Sequence, residues 1–397
     1  MTDALTPKRV WEHALAGSRW LVKHQEPDGS WKGLRNPDVD AFYKSSWALA
    51  STGQAAAAQR SLTYVRRQFL TEEGDFLPRK HPWHITAHYP YANAYLIVGS
   101  MHAGRYEIAM PAVSFLLSQQ STDHGGFHSR LTKPGDREVA NTVSSSAGGM
   151  ACLAAGNIGA ARCAADYLAH MISLQPSPND RFFTMTEANG QLITDMGQGP
   201  DACLQMIDTG KADQCWFTVG LPLAFLIQLA DATGESHYLD LAQWYFHFQR
   251  RCVNPWDGWS SGKAGWGCAM LYRMTGHRAY RDIALRTAEF MMTKQSADGG
   301  WCQCCREPAG SDFDLTAEYT LWLSLISANL SARDPGNIPL VTDVIKVPKQ
   351  PFGQRGRRAL KTHYGIVKNE GLRKYFQYSY YYRKGQVLGW IKKKFGR

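Results

Sequence analysis

The stretch Leu21-Val-Lys-His-Gln25-Glu-Pro-Asp28-Gly29-Ser-Trp31 decides the fold, because it recurs. The same order returns at Leu116-Leu-Ser-Gln-Gln120-Ser-Thr-Asp123-His-Gly125-Gly-Phe127 and at Met291-Met-Thr-Lys-Gln295-Ser-Ala-Asp298-Gly299-Gly-Trp301. Each copy reads as a helix that closes on Gln, a short polar reversal, then Gly followed by an aromatic side chain. Weaker copies stand at Glu73-Gly74-Asp75-Phe76, Trp256-Asp257-Gly258-Trp259 and Asn189-Gly190-Gln191-Leu192. Repetition of one pattern means that one supersecondary unit is copied along the chain.

Working outward, each copy is preceded by an amphipathic segment with apolar residues at helical spacing. These segments run over about 8–25, 54–70, 105–120, 157–174, 236–252 and 278–295. Each copy is followed by a loop and an apolar, small-residue helix, over about 41–53, 89–103, 140–156, 214–233, 264–276 and 316–332. Gly53, Gly104, Gly156, Gly234 and Gly276 stand where left-handed helix caps belong. A helix that is apolar all round must be covered on every side. The pattern therefore predicts an all-α α6/α6 toroid: six helical hairpins closed into a ring, wet helices outside and apolar ones inside. The Gln and Trp of each reversal would tie neighbouring hairpins together, a structural task for Asp28, Trp31, Asp298 and Trp301. The toroid spans 1–335, and 336–397 form a basic, aromatic C-terminal extension.

Composition agrees. Apolar residues make up 44% of the 397, enough for a large core. Residues 346–397 hold 15 Lys or Arg against one acid, Glu370, so a chain of formal charge +10 has a body of −4 and a tail of +14. Nine cysteines, an odd number and mostly within apolar helices, point to reduced thiols. No apolar run has the roughly 18 residues of a membrane span. The opening residues lack a secretory pattern, and we expect a cytoplasmic protein, peripheral to a membrane at most.

Gly17-x-x-Trp20-Leu21-x-x-x-Gln25-x-x-x-Gly29-x-Trp31 is similar to the QW motif of squalene–hopene and oxidosqualene cyclases, and the resemblance covers 8–332. It implies the α/α-toroid superfamily of terpenoid cyclases and protein prenyltransferase β subunits. Toroidal sugar epimerases, lyases and unsaturated glucuronyl hydrolases carry similar Asp-Gly-Trp turns, and fold alone does not fix chemistry. Asp312-Phe-Asp314-Leu315-Thr316-Ala317 resembles the DxDDTA acid motif, which implies Asp314 as the alkene-protonating acid. Here Leu315 replaces the family's fourth Asp. Equally, Asp314 with Thr316 and Glu318 would suit a helix start. Lys211-Ala-Asp213-Gln-Cys215 is similar to the zinc segment of prenyltransferase β subunits. Its third ligand is missing, and Cys302, Cys304 and Cys305 do not have a standard ligand spacing. We expect no metal and no cofactor.

Loops entering the inner helices should line the mouth of the ring. Closure would bring Asp38 and Asp40 of the first repeat beside Asp312 and Asp314 of the last, an acidic cluster. His84 and His88, in the loop with His81 and Trp83, are candidate acid–base groups. Trp83, Tyr91, Trp216, Phe217, Trp266, Tyr319 and Trp322 are candidate substrate-binding aromatics. The 175–213 loop is longer than a connection needs, as lids and sites are.

The leading expectation is a natural-product cyclase or isomerase that folds a hydrophobic isoprenoid- or polyene-like substrate, by protonation or by cycloaddition-type templating. The alternatives are a carbohydrate-active epimerase, lyase or unsaturated-glycoside hydrolase, and a non-catalytic prenyl-binding subunit. An apolar cavity favours the first, and a cavity of charged groups and histidines around Trp platforms favours the second. One filled with side chains favours the third. The basic, aromatic stretch 354–397 suits a membrane surface or an acidic carrier protein, and we expect no nucleic-acid partner.

Overall fold

The protein is described by a computed structural model over residues 5–131, 138–195, 202–301 and 310–333. In chain order the helices are α1 (Pro7–Lys23), α2 (Ser45–Ser51), α3 (Ala55–Gln68), α4 (Pro82–Thr86), α5 (Tyr89–His102), α6 (Tyr106–Ser118) and α7 (Thr142–Ala154). There follow α8 (Ile158–Ser173), α9 (Phe217–Thr233), α10 (Ser236–Arg250), α11 (Gly262–Thr275), α12 (Arg278–Thr293) and α13 (Gly310–Ser331). Helices α2, α5, α7, α9, α11 and α13 touch one another in that order, and α13 returns to α2. Helices α1, α3, α6, α8, α10 and α12 pack around them. The chain is an α/α toroid.

Burial explains the division. From α9, the residues Phe217 to Ile227 are all buried, and α7 is buried from Thr142 to Cys152. Glycines let these walls approach: a side chain at Gly149 of α7 would strike Phe225 of α9. The outer helices keep one wet face, as in α3, where Leu62 and Val65 are buried and Arg66 and Arg67 exposed. The helices that pack face to face are an inner helix and the outer one after it (α2 with α3, α5 with α6), while α1 packs on α13. The sequence pairing, outer helix with the inner one that follows, is thus offset by one. The reason is linker length. The glycine turns are short and fold neighbouring helices back on each other, and Gly53, Gly104, Gly156, Gly234 and Gly276 all have φ between 70 and 77°.

The Gly-x-aromatic reversals act as docking pegs. Gln25 Nε2 donates to the Ala57 carbonyl of α3 at 3.1 Å, Gln120 Nε2 to Ala160 of α8 at 2.9 Å, and Gln295 Nε2 to His13 of α1 at 3.0 Å. The last of these closes the ring, with Trp20 Nε1 donating to Asp298 at 2.9 Å. Each such bond contributes about 1 kcal/mol net. Gly29 and Gly299 sit at φ 92 and 98°, and a Cβ there would collide with the backbone carbonyls of Arg60 and Ala16. The turn thus needs glycine for both conformation and clearance.

The 175–213 loop is not free. β2 (Arg181–Phe183) pairs antiparallel with β4 (Met206–Asp208), and β1 (Val139–Asn141) with β3 (Met185–Glu187). The extension after Arg333, Cys302, Cys304 and Cys305 lie outside the described residues.

Candidate functional site

Every inner helix starts at the same rim, because each is reached by way of an outer one. The centre of the ring is filled. Trp47, Tyr95, Trp266 and Trp322 meet there, with Trp266 stacked on Trp322 at 5.4 Å between ring centroids and Trp47 edge-on to Trp266 at 5.8 Å. Among the described residues a cavity of about 110 Å³ opens at the N-terminal ends of the inner helices. An engineered cavity of about 150 Å³ holds one benzene, so this one takes a group of about one ring. Its walls include Lys44, His84, His88, Lys263, Asp314 and Glu318, with Trp83, Tyr91, Phe217 and Trp259.

One side is a chain of charges. Lys44, just before α2, is 3% exposed, and its Nζ lies 3.0 Å from Asp314 Oδ1 and 2.5 Å from Glu318 Oε2. Lys263, in the first turn of α11, holds Glu318 Oε1 at 2.6 Å. Trp322 Nε1 also donates to that oxygen, at 3.0 Å. Burial alone would raise the Glu318 carboxyl, but the two ammonium groups hold it well below the ordinary carboxylate range. Asp314, four residues earlier on α13, behaves oppositely. Desolvation, helped by the charges of Glu318 and Asp40, pushes it up to about 6 against the pull of Lys44. Two carboxylates one helical turn apart thus stand in different protonation regimes. Lys44 stays above its ordinary range, since Asp314 and Glu318 outweigh its burial, whereas burial draws Lys263 down despite Glu318.

The other side is an acid–histidine pair. Asp40, in the turn Val39–Ala41, accepts N–H bonds from Lys80 at 2.8 Å and His81 at 2.7 Å, and the Nδ1–H of His84 at 2.5 Å. Burial opposes ionisation, but the His84 contact and the two backbone donors bring Asp40 down to about 2. Burial likewise brings His84 down to about 4, although Asp40 pulls the other way. At neutral pH the pair is therefore carboxylate and neutral imidazole, with the basic nitrogen Nε2 on a side chain that lines the cavity. Nearby, Asn141 accepts the Ser144 N–H at 2.7 Å and donates its amide N–H to the Ala87 carbonyl at 2.6 Å, with His88 Nδ1 3.4 Å from the same nitrogen. His88 Nε2 is buried and has no hydrogen-bond partner.

The structure sorts the sequence candidates. Asp40, Asp314, His84 and His88 come together, with Trp83, Tyr91 and Phe217 around them. Asp314 is not a helix cap: α13 begins at Gly310, which puts it in the second turn. Asp38 caps the Val39–Ala41 turn through Asp40 N–H and lies 3.5 Å from Lys80, off the cavity wall. Asp312 is fully buried in the first turn of α13 and does not line the cavity. Trp216, Trp266 and Trp322 belong to the core, because the ring is too narrow to leave their faces free. The Tyr319 hydroxyl donates to the Trp259 carbonyl at 3.2 Å and so braces the rim without lining the cavity. Among the described residues no group of three metal-ligating side chains occurs. Cys215 is buried, and burial holds its thiol far above the ordinary range, which disfavours the thiolate a metal requires.

The sequence reading missed Lys44, Lys263, Trp259 as a wall residue, and Glu318 as anything but a first-turn acid. The signal was present: Lys263 and Glu318 are charged residues in mostly apolar helices, and a charge buried there is almost always paired.

No protein-family model and no curated protein matches the sequence. Solved structures do. A D-mannose isomerase superposes with a TM-score of 0.60 at 14% identity, over 82% of this chain and 99% of that one. A family 76 mannosidase from Bacteroides thetaiotaomicron gives 0.55 at 13%, over 82% and 100%. The type II terpene cyclase MstE from Scytonema, in complex with geranylgeranyl dihydroxybenzoate, gives 0.53 at 10%, over 82% and 99%. The likeness is one of fold. It bears out the α/α-toroid fold read from the QW-like repeats, and the matched rings include an isomerase and a mannosidase of sugars as well as a terpene cyclase.

Proposed function

We propose that the protein is an acid–base isomerase or epimerase of a small hydroxylated carbonyl compound of about sugar-ring size. The observation that carries this reading is the Asp40–His84 pair at 2.5 Å, facing Asp314, Glu318 and two buried lysines across one small cavity. Neutral His84 takes a proton through Nε2 from the carbon next to the substrate carbonyl, and Asp40 stabilises the imidazolium formed. Asp314, protonated up to about pH 6, gives its proton to the carbonyl oxygen, and an enediol results. As an enediol hydroxyl returns its proton to Asp314, delivery of the His84 proton to the other carbon isomerises the substrate; delivery to the same carbon, after the enediol has turned its opposite face to His84, epimerises it. His88 Nε2 and Lys263 hold substrate hydroxyl groups, which gives the unpartnered ring nitrogen a partner. Glu318, locked ionised between two lysines, keeps those cations in place.

The polyene-cyclase reading keeps support from the aromatic wall of Trp83, Tyr91, Phe217 and Trp259. Two features weigh against it. A carboxyl near 6 beside an ammonium group is too weak an acid for an alkene, and a cavity of about one ring does not hold a folded C20 chain. One experiment separates the readings. The protein is incubated in D₂O with a panel of aldoses and ketoses, and separately with geranylgeranyl-bearing phenols. Deuterium entering next to a sugar carbonyl, lost in His84→Ala, supports the isomerase; a cyclised polyene product, with no exchange into any sugar, refutes it.

A further inference from the structure

Three aromatic rings at the rim take no part in the chemistry above. Trp83 and Phe217 lie 6.2 Å apart, and Phe217 and Trp259 again 6.2 Å, so the rings form a continuous wall from the cavity outwards. Phe217 is buried, Trp83 is half-buried, and Trp259 is 53% exposed. Trp259 is the outer end of this three-ring wall and not a lone surface residue, and contiguous apolar surface of that kind marks a binding site. Nor is Trp259 on a slack loop. The Tyr319 hydroxyl holds its carbonyl at 3.2 Å. The next residue, Ser260, donates its hydroxyl to the Gln214 carbonyl at 3.1 Å and accepts the Trp216 N–H at 3.0 Å. The ring is therefore presented to solvent on a fixed backbone. Inside the wall the surfaces are charged; outside it they are aromatic. The cavity these rings border holds only about 110 Å³, so any larger substrate must extend outward along them onto the rim.

We propose that the substrate has two parts: a hydroxylated head that enters the charged cavity, and an apolar alkyl or aryl group that lies across Trp83, Phe217 and Trp259. This rests on the isomerase reading for its head and on the rim alone for its second part. A linear or aromatic appendage of a few carbons would cover the exposed face of Trp259, and rigid aromatic platforms lose little entropy when they bind.

The test measures dissociation constants by calorimetry on the full-length protein, with methyl, butyl and hexyl β-D-glucoside and with 1-hexanol. A fully buried methylene is worth about fourfold in affinity, and on an open rim about half that burial gives about twofold. Hexyl glucoside should then bind about thirtyfold tighter than methyl glucoside. In Trp83→Ala/Trp259→Ala the gap should fall below about fivefold, while Trp259→Phe keeps most of it. Equal binding of the methyl and hexyl compounds overturns the proposal. So does a gap that survives the double variant, or no binding by any of the four probes. If hexanol binds as tightly as hexyl glucoside and weakens equally in the double variant, the apolar rim stands and the hydroxylated head falls.

Discussion

Glu318→Gln is the most searching perturbation of the site. Glu318 is the shared counter-ion of two lysines, each no more than 4% exposed, at 2.5 and 2.6 Å. The substitution keeps the size of the side chain and the acceptor for Trp322 Nε1, but it leaves two buried cations with only Asp314 between them. Removing one partner of a buried pair costs about 3–5 kcal/mol. For a domain of this size, about 2 °C per kcal/mol gives a fall in Tm of about 6–10 °C. A second effect has the opposite sign for Asp314. Glu318 is one of the charges that raise the Asp314 carboxyl, so without it that carboxyl drops from about 6 toward the ordinary range. Scanning calorimetry reads the first effect and the alkaline limb of the pH–rate profile reads the second, which should move to lower pH. An unchanged Tm together with an unmoved limb would refute the charge arrangement described here. Replacing both Lys263→Met and Glu318→Leu should restore much of the stability without restoring activity, because an apolar pair substitutes for a buried ion pair at little cost.

Asp40→Asn should lower turnover by about 10²–10⁴-fold with little change in Tm, because it removes the group that orients His84 and stabilises its cation; circular dichroism alongside kinetics checks this. The pH profile should be bell-shaped and acidic. His84 becomes a base as pH rises through about 4, and Asp314 loses its acid proton as pH rises through about 6, so activity should peak near pH 5. A plateau from pH 7 to 9 would remove Asp314 from the acid role. Gly17→Ala tests ring closure. A Cβ there would meet Thr320 and Trp301 between α1 and α13, so stability should fall by about 1–3 kcal/mol despite the better helix propensity of Ala, measured by urea unfolding.

How much could be read from the sequence differed between the ring and its contents. Helix spacing marked the long helices within a few residues, apart from the start of α13 at Gly310 where about 316 was expected, because burial on one face or on all faces leaves a periodic record in the chain. The Gln25, Gln120 and Gln295 ties were legible as repeats, since one geometry solved several times needs the same residues each time. The interior was not legible. Trp266 and Trp322 read as cavity aromatics just as Tyr91 and Phe217 did, and only packing distinguishes a ring that fills the centre from one that borders a void. Asp312 and Asp314, two residues apart, point 200° from each other on a helix, so one is core and the other lines the cavity. The acidic cluster expected at the closure is a mixed one in the structure, because Lys44 and Lys263, which the sequence reading does not single out, pair with Asp314 and Glu318.

The site also depends on the ring in a way that binds stability to chemistry. Lys44 belongs to the first repeat, while Asp314 and Glu318 belong to the last. They meet only because α13 returns to α2. The pairing is a non-local contact spanning 270 residues and more, and desolvating its charges is repaid only when the pair is complete. An open solenoid with the same helices would leave a buried lysine facing no carboxylate. The ionic cluster therefore penalises an unclosed ring in proportion to its burial, while the Gln295–His13 and Trp20–Asp298 bonds at the outer surface reward a closed one. Closure and the candidate active site are thus one structural event. A substitution that loosens the seam between α1 and α13 should disturb the protonation of Asp314 before it unfolds the protein.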